Sequence, residues 1–253
     1  MREETGESVG LRISKPFGRK LTELAGIRKG DLVLDLGTGL GPVFFPTLEK
    51  VGPDGFVVGV DISDEMVKGT HILLKKSAYC NATIVKSDIK SLSFRSNIFD
   101  VVLCGFSYVY SSLEQIKRVL KDGGRFGLSS WAALGDMDCM VRFARRYLPI
   151  SSEDVYHRDT PEVLKTLLRK AGFEDIRVYA QTQKFIFKDE KQWWDEMLNS
   201  GWQAHLMKIK ELRGNLDKFK QEAFKELQVH KRPDGIPFTM SALLAFGTKS
   251  RLK

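Results

Sequence analysis

Strand-like and helix-like segments alternate over the first 180 residues of the chain. Short runs rich in apolar, β-branched or aromatic residues predict five strands, at 32–36, 56–60, 83–85, 100–106 and 125–130. The segments between them carry apolar residues at helical spacing, and Ser63 is placed to cap one of these helices. Another helix, at about 16–25, is expected before the first strand, and Asp122-Gly123-Gly124 is expected to end the helix that precedes the fifth strand. Strands that alternate with helices form parallel sheets covered on both faces. The sequence therefore predicts an α/β fold with a doubly wound, Rossmann-like sheet.

The character of the sequence changes in its last third. Thr160 is placed to cap a helix that ends before Gly172, and further strands are predicted at 176–187 and 238–248. The sequence of 188–236, between these strands, predicts charged helices that contain tryptophan. This segment is longer than a usual connection between two strands. We therefore expect one core built from 1–187 and 237–253, with 188–236 inserted as a helical lid. The lid tryptophans suit core packing or, alternatively, an aromatic pocket for a ligand.

The segment DLVLDLGTGLG at 31–41 joins the first predicted strand to a glycine-rich turn. Gly37, Gly39 and Gly41 give the spacing GxGxG, and Pro42 suits the first position of a helix. Glycines at such a turn let backbone N–H groups approach a ligand closely. The dinucleotide fingerprint is GxGxxG, so the observed spacing disfavours NAD.

Acidic residues follow three of the predicted strands. Asp35 precedes the glycine turn, where a carboxylate repels a pyrophosphate but accepts hydrogen bonds from amides or an ammonium ion. Asp61 ends the segment FVVGVD and can accept from both hydroxyls of a ribose, as in other nucleotide-binding folds. Asp88, in IVKSDIKSL, can accept from an exocyclic amine. Asp61 and Asp88 also have a simpler interpretation as helix caps or solvent-facing strand ends.

Taken together these motifs resemble the class I S-adenosylmethionine-dependent methyltransferases, in particular the group of the ubiquinone and menaquinone C-methyltransferases. The matching segments, in the family's order over about residues 15–180, are VLDLGTGLG, VVGVDIS, IVKSDI, FDVVLCGF and RVLKDGGRFGLSSW. The resemblance implies a seven-stranded sheet whose last strand is antiparallel. It also implies that the cofactor is S-adenosylmethionine and the product S-adenosylhomocysteine.

The resemblance further implies where the methyl donor lies. Its methionine ammonium group is expected near Asp35 and Gly37, its ribose on Asp61, its adenine near Ile62 and Asp88, and its methionyl portion along the backbone at Cys104 and Phe106. Met66 is an adenine contact or, as its place in the apolar stripe of its helix favours, a core residue. Thr38 stands where many members have Cys or Ser. The full set of expected cofactor-binding residues is Asp35, Gly37, Thr38, Gly39, Gly41, Asp61, Ile62, Met66, Asp88, Ile89, Cys104 and Phe106.

The methyl acceptor is less well indicated by the sequence. The segment GFSYVY follows the fourth strand, where amino-methylating enzymes of this fold often carry an NPPY-like motif, so we expect a small organic acceptor rather than an exocyclic amine. Tyr108 in this segment and His205 in SGWQAHL are the candidate catalytic side chains. His205 has the alternative interpretation of an ordinary surface histidine.

Composition bounds the remaining partners. The chain of 253 residues has a net charge of +8, which keeps an RNA acceptor as an alternative, although acidic and basic residues are intermixed along the predicted lid. The three cysteines are far apart and lack a CxxC pair, so buried free thiols are expected and no metal site. The acidic N-terminus and the absence of a long apolar segment predict a cytoplasmic protein without a membrane span. A second copy of the chain is a further candidate partner, and a non-catalytic protein of the same fold is the remaining alternative.

Overall fold

The computed structural model describes residues 9–107, 109–136, 146–147, 159–198, 206–207, 210–211 and 215–251. The strands within them are β1 Leu32–Leu36, β2 Phe56–Asp61, β3 Ala82–Lys86, β4 Phe99–Gly105, β5 Leu120–Gly135, β6 Phe173–Phe187 and β7 Ile236–Lys249. The helices are α1 Val9–Leu24, α2 Phe44–Val51, α3 Asp64–Lys76, α4 Leu113–Val119, α5 Pro161–Lys170, α6 Glu190–Leu198 and α7 Leu216–Val229, with a 3₁₀ helix at Tyr110–Ser112.

Over the described residues, the strands form one seven-stranded sheet in the order β3-β2-β1-β4-β5-β7-β6. The pairs β1–β2, β1–β4, β2–β3 and β4–β5 are parallel, and the end of the sheet that contains β7 is antiparallel. The predicted α/β fold with a seven-stranded sheet is confirmed. Strand order reverses between β1 and β4, and ligands of open α/β sheets bind beyond the carboxyl ends of the strands at such a point.

Local sequence signals set the ends of several helices. The Ser63 hydroxyl accepts a hydrogen bond from the backbone N–H of Met66, and the Thr160 hydroxyl accepts one from Val163, so both predicted caps are confirmed. Helix α2 begins at Phe44 rather than at Pro42. Its Pro46 is tolerated because backbone N–H groups in the first turn of a helix have no partner within the helix.

Other boundaries differ from the prediction. Helix α1 begins at Val9, not near Pro16, and carries Pro16 in its interior. Strand β5 starts at Leu120 and includes the Asp122-Gly123-Gly124 turn signal, because Leu120 pairs with Phe99 across an irregularity in the register. Cys104 is buried as expected, whereas Cys80 is exposed.

The chain divides into two compact units. The core unit consists of Ser14–Trp131, Asp159–Ala180 and Ala242–Lys253. Its main apolar cluster packs α2 against the central strands, with Phe44, Val101 and Leu103 almost fully buried. The described helices cannot span a membrane, since none is both long and apolar enough.

The second unit consists of Met1–Ile13, Ala132–Arg158 and Gln181–Ser241. Trp193 and Trp194 of α6 are buried and lie beside Phe238 and Phe219, respectively. The tryptophans therefore serve apolar packing in this unit, as the core-packing interpretation expects. Helices α6 and α7 lie within 188–236, and the role of that segment as a lid stays a prediction.

Candidate active site

The glycine turn after β1 has two glycines with different surroundings. Gly37 and Gly39 have φ angles of +66° and +53°, in the left-handed region that side-chain-bearing residues rarely adopt. A Cβ atom added at Gly37 would collide with Ser107, whose own Cβ would be 2.7 Å away. A Cβ atom at Gly39 would have no such neighbour closer than the Gly37 carbonyl oxygen at 4.0 Å. The chain itself thus closes the turn over Gly37 and leaves space beside Gly39.

Thr38 holds the turn in place from inside the protein. The residue is buried, its N–H donates to the Val60 carbonyl at 2.9 Å, and its hydroxyl donates to the Asp35 carbonyl at 3.0 Å. Its own carbonyl accepts from the N–H of Gly41 at 2.9 Å. The Thr38 side chain therefore connects β1 to the turn, and a Ser at this position would keep the same hydroxyl.

Asp61 at the end of β2 is bonded to the glycine turn. Its Oδ2 accepts from the N–H of Gly39 at 2.8 Å, and its Oδ1 accepts from the N–H of Ser63 at 2.9 Å. An ionised carboxylate has about four acceptor sites, so each oxygen retains capacity for a further donor. Asp61 is half-buried, and it can fix the turn and accept from a ligand hydroxyl at once.

Asp35 is the least satisfied polar group of this region. The residue is 1% exposed, and neither carboxyl oxygen has a hydrogen-bond partner among the described residues. Burial raises the pKa of Asp35 from its ordinary 3.8 to about 8. The nearby Thr38 hydroxyl, which donates to the Asp35 backbone carbonyl rather than to the carboxyl, lowers this pKa in part, and the Asp61 carboxylate raises it. A buried carboxyl without a donor is costly, and a cationic group that donates hydrogen bonds would relieve that cost. Asp35 and the open side of Gly39 therefore fit a cationic ligand.

Cys104 ends the buried part of β4, and Leu36 pairs with it across the sheet. Burial, and then the neighbouring Asp35 carboxyl, raise the pKa of its thiol to about 12. Its Sγ donates to the Ser107 carbonyl at 3.6 Å. A thiol with so high a pKa is not ionised near neutral pH, so Cys104 is a packing residue rather than a nucleophile.

Phe106 has a backbone conformation that no sequence signal predicts. Its φ is +57°, which is rare for an aromatic residue. Its N–H donates to the Ser129 carbonyl at 3.2 Å and to the Ser129 hydroxyl at 3.1 Å. Its ring stacks on Trp131 with centroids 4.0 Å apart, and the Phe17 ring meets both of these rings edge-on. These contacts hold the strained residue at the carboxyl end of β4.

The residues expected around the adenine lie on the surface beyond β2 and β3. Ile62 is 65% exposed, and Met66 in the first turn of α3 is half-buried. Asp88 is exposed, and its Oδ1 already accepts from the N–H of Lys90 at 2.9 Å. Ile89 is half-buried. An exposed apolar side chain such as Ile62 is available to pack against a flat ligand group.

A buried polar cluster that no sequence motif indicates lies beside the carboxyl end of β4. Asp159 is 4% exposed and accepts hydrogen bonds from the Tyr110 and Ser130 hydroxyls. Ser130 directly follows Ser129, which pairs with Gly105 and binds Phe106. No spacing motif links these three residues, because 20 and 29 positions separate them in the chain. The candidate catalytic residues Tyr108 and His205 lie outside the described residues.

Comparison with known proteins places this arrangement in a family. The sequence profile of the family described as "Methyltransferase domain" matches residues 27–172. The ubiquinone/menaquinone biosynthesis C-methyltransferase UbiE of Azotobacter vinelandii is 31% identical over 185 residues, which cover 63% of this chain and 72% of that protein. Nocamycin O-methyltransferase of Saccharothrix syringae is 33% identical over 128 residues, which cover 49% of this chain and 46% of that one.

A solved structure supports the fold. The YcgJ protein of Bacillus subtilis superposes with a TM-score of 0.61 at 20% identity, over 94% of this chain and 100% of that one. The family profile covers the glycine turn, the three acidic strand ends and the strained Phe106. The chain therefore belongs to the methyltransferase domain family, as a class I S-adenosylmethionine-dependent methyltransferase of the UbiE-like group.

Proposed function

We propose that this enzyme methylates a small organic acceptor that must lose a proton, and that it holds the methyl donor at the glycine turn. The observation that carries the donor site is the buried Asp35 carboxyl, which no described residue supplies with a donor on either oxygen, at the turn that Gly39 leaves open. S-adenosylmethionine has both an ammonium group and a sulfonium, so it supplies the cationic group that such a corner favours.

Each part of the donor has a candidate partner in the core unit. We assign its ammonium group to Asp35 and the backbone of Gly37 and Gly39, and its ribose hydroxyls to Asp61. The same assignment gives the adenine to Ile62 and Met66, with Asp88 and Ile89 at its edge, and the methionyl portion to the backbone at Cys104 and Phe106. Thr38 and Gly41 keep the turn in shape. The exposure of Ile62 and the remaining acceptor capacity of Asp61 support these assignments.

When bound, the donor supplies a methyl group already activated by its positive sulfur. The protein has to align the acceptor with that group and exclude water, an effect of proximity that is worth about 7–11 kcal/mol in favourable cases. The lid proposed at 188–236 is our candidate for excluding water.

The acceptor class follows from the relatives and from the polar cluster. The relatives' names describe one C-methyltransferase and one O-methyltransferase. A phenol or enol can be methylated on either carbon or oxygen once its acidic proton is removed. We propose that the Asp159 carboxylate receives this proton. The Tyr110 hydroxyl, which donates a hydrogen bond to Asp159, relays the proton from the acceptor. Tyr108 and His205 stay candidate bases from the sequence alone.

Calorimetric titration with S-adenosylmethionine and S-adenosylhomocysteine tests the donor site, and failure of both to bind at millimolar concentration would end the proposal. Transfer of label from S-adenosylmethionine into a metabolite extract then tests the acceptor class. We expect the labelled product to carry an O-methyl group or a ring or enol C-methyl group. A labelled amine would contradict the proposal.

RNA is the second candidate acceptor, which the net charge of +8 supports. Binding to RNA would be steeply weakened by salt, because neutralised phosphates release counterions. Label transfer into RNA that shows this salt dependence would favour it over the small acceptor. The expected cytoplasmic location and homodimer stay predictions.

A further inference from the structure

The second unit contains an open cavity of about 460 Å³ that includes no residue of the candidate active site. It lies where the end of β6, the start of β7 and the turn after α7 meet. Lys184 comes from β6, Lys231 and Arg232 from the turn, and Asp136 from the residues after β5. Basic side chains from separate elements therefore converge on one space.

The charges around this cavity are not balanced. Asp136 is its one carboxylate lining residue among the described side chains, and its Oδ2 already accepts from the N–H of Thr239 at 2.6 Å. Lys231 is 3.5 Å from a Glu190 oxygen that the Gln228 amide also contacts. Within the described part of the chain, Lys184 and Arg232 have no carboxylate partner. The cavity thus carries net positive charge, and at least two of its cations are available to an anion.

The backbone that carries these cations is held in place. The N–H of Arg232 donates to the Gly235 carbonyl at 2.8 Å, and the N–H of Gly235 donates back at 3.0 Å. On the other side, the N–H of Asp136 donates to the Thr239 carbonyl at 3.2 Å. Paired backbone hydrogen bonds on both sides reduce the entropy that a ligand would have to remove on binding. This arrangement differs from a set of independent surface lysines.

The chemistry of the lining selects the kind of anion. The Arg232 guanidinium is planar and can donate two parallel hydrogen bonds to a phosphate or carboxylate, while Lys184 and Lys231 act as point charges. A phosphate ester carries up to two negative charges and three outer oxygens, which suits three cations better than a carboxylate does. Val229, which is 77% exposed, and Pro237 add an apolar wall.

We propose that this cavity is a binding site for a small phosphate monoester with an apolar ester group. The cations bind the phosphate, and Val229 with Pro237 packs against the ester group. The proposal concerns the second unit alone and does not depend on methyl transfer.

Phenyl phosphate is the probe, titrated calorimetrically into the full chain, with inorganic phosphate, phenol and benzoate as comparison ligands. We expect saturable binding of phenyl phosphate that is tighter than that of the other three. Substitutions Arg232→Ala and Lys184→Ala should each weaken it by about tenfold or more, since each removes a charge-assisted contact. The matched control Lys225→Ala removes an exposed lysine of α7 that does not line the cavity, and it should leave the affinity unchanged.

Several results would overturn the proposal. Phenyl phosphate that fails to saturate at millimolar concentration, or that binds equally to wild type and both cavity variants, would show that the cavity is a solvated surface. Benzoate that binds as tightly would exclude selection for phosphate. A further contrary result is an RNA oligonucleotide that is bound more tightly than phenyl phosphate is, with as large a loss of affinity in Lys225→Ala as in the two cavity variants. That result would indicate an extended nucleic-acid surface. Unfolding midpoints are measured for each variant, and Lys184→Ala decides the matter if Arg232→Ala fails to fold, because Lys184 is exposed on its strand.

Discussion

Asp61 Oδ2 accepts the backbone N–H of Gly39 at 2.8 Å, so the end of β2 is bonded directly to the glycine turn that follows β1. The residue assigned to the donor's ribose is thus also a structural part of the turn assigned to the donor's ammonium group. Substitutions at Asp61 therefore act on two properties, stability and donor binding, which have to be measured separately.

Asp61→Ala removes the acceptor of two backbone N–H groups, those of Gly39 and Ser63. We expect the donor-free variant to lose about 1–3 kcal/mol in its free energy of unfolding, and donor affinity to fall as well. Asp61→Asn keeps one acceptor oxygen, so its free energy of unfolding should lie between those of wild type and Asp61→Ala. Urea denaturation and calorimetric titration with S-adenosylhomocysteine measure the two effects.

Asp64→Ala is the control for Asp61, because Asp64 is the neighbouring acid of α3 and its exposed carboxylate pairs with Lys86 at 2.6 Å. Exposed ion pairs contribute little to stability, so this variant should resemble wild type in both measurements. An Asp61→Ala protein with wild-type donor affinity would show that the ribose assignment is wrong.

Gly39→Ala should separate ligand binding from folding. The new Cβ clashes with none of the described residues, so the cost to stability is that of the left-handed φ, about 1–2 kcal/mol. The methyl would, however, project into the space assigned to the donor, and we expect donor affinity to fall by at least about tenfold, a loss of about 1.4 kcal/mol.

Gly30→Ala provides the matched control for this experiment. Gly30 has a φ of +83° and no atom within 4 Å of an added Cβ, but it precedes β1, at the other end of that strand from the glycine turn. It should lose comparable stability and keep wild-type donor affinity. Equal donor affinity in both alanine variants would place the donor away from Gly39.

The protonation of Asp35 predicts a pH dependence of stability. In the folded, donor-free protein its pKa is about 8, whereas the unfolded chain has the ordinary 3.8, so between these values the folded state binds more protons. The contribution of Asp35 to stability is then fully present below the lower value and is lost as pH rises through the upper one. Asp35→Asn cannot ionise, so the stability of wild type relative to this variant should decrease from about pH 5 to about pH 8.

The folded, donor-free protein favours the protonated form of Asp35. Donor binding should reverse this preference, because an ammonium group favours the ionised carboxylate. We expect wild type to release up to about one proton on binding S-adenosylhomocysteine near pH 6.5, where an α-amino group is still charged. Calorimetry in buffers of different ionisation enthalpy measures this release. Asp35→Asn should release none, and the same release from both proteins would rule out Asp35 as the partner of the ammonium group.

Asp159→Asn tests the proposed proton acceptor. If the carboxylate receives the acceptor's proton, kcat should fall by about 10²–10⁴-fold while donor affinity stays unchanged. Tyr110→Phe should behave similarly, because it removes the hydroxyl that connects the acceptor to Asp159. Initial rates of label transfer to the acceptor recovered from the extract provide the measurement.

Ser130→Ala is the control for Asp159. It removes a hydroxyl that donates a hydrogen bond to the Asp159 carboxylate, but it leaves the carboxylate itself in place as the proton acceptor. It should keep a kcat close to that of wild type. Donor affinity should be unchanged in all three variants. An Asp159→Asn enzyme with wild-type kcat would assign this cluster a structural role only.

The positions of the central strands, the glycine turn and the acidic strand ends could be predicted because their signals are local. The segment LVLDLG carries its strand and its turn within six residues, and the caps Ser63 and Thr160 act on backbone N–H groups three positions away. The ends of α1 and β5 were predicted less well. The sequence predicts a start of α1 near Pro16 and a stop at Gly123 between α4 and β5. In the structure, α1 extends back to Val9 with Leu11 and Ile13 buried, and β5 begins at Leu120 because that residue pairs with Phe99.

By itself, the sequence determined the α/β fold and the placement of Asp35 and Asp61 near the ends of successive strands, because short-range backbone preferences and apolar periodicity specify these features. Its motifs indicated the family through their resemblance to known methyltransferases. Only the tertiary structure decided that Ser107 closes the turn over Gly37, that Asp35 receives no donor from the described residues, and that Asp159 meets Tyr110 and Ser130. Each of these depends on side chains brought together from separate strands and helices, and their contacts follow from sheet register and burial rather than from any neighbouring residue in the chain.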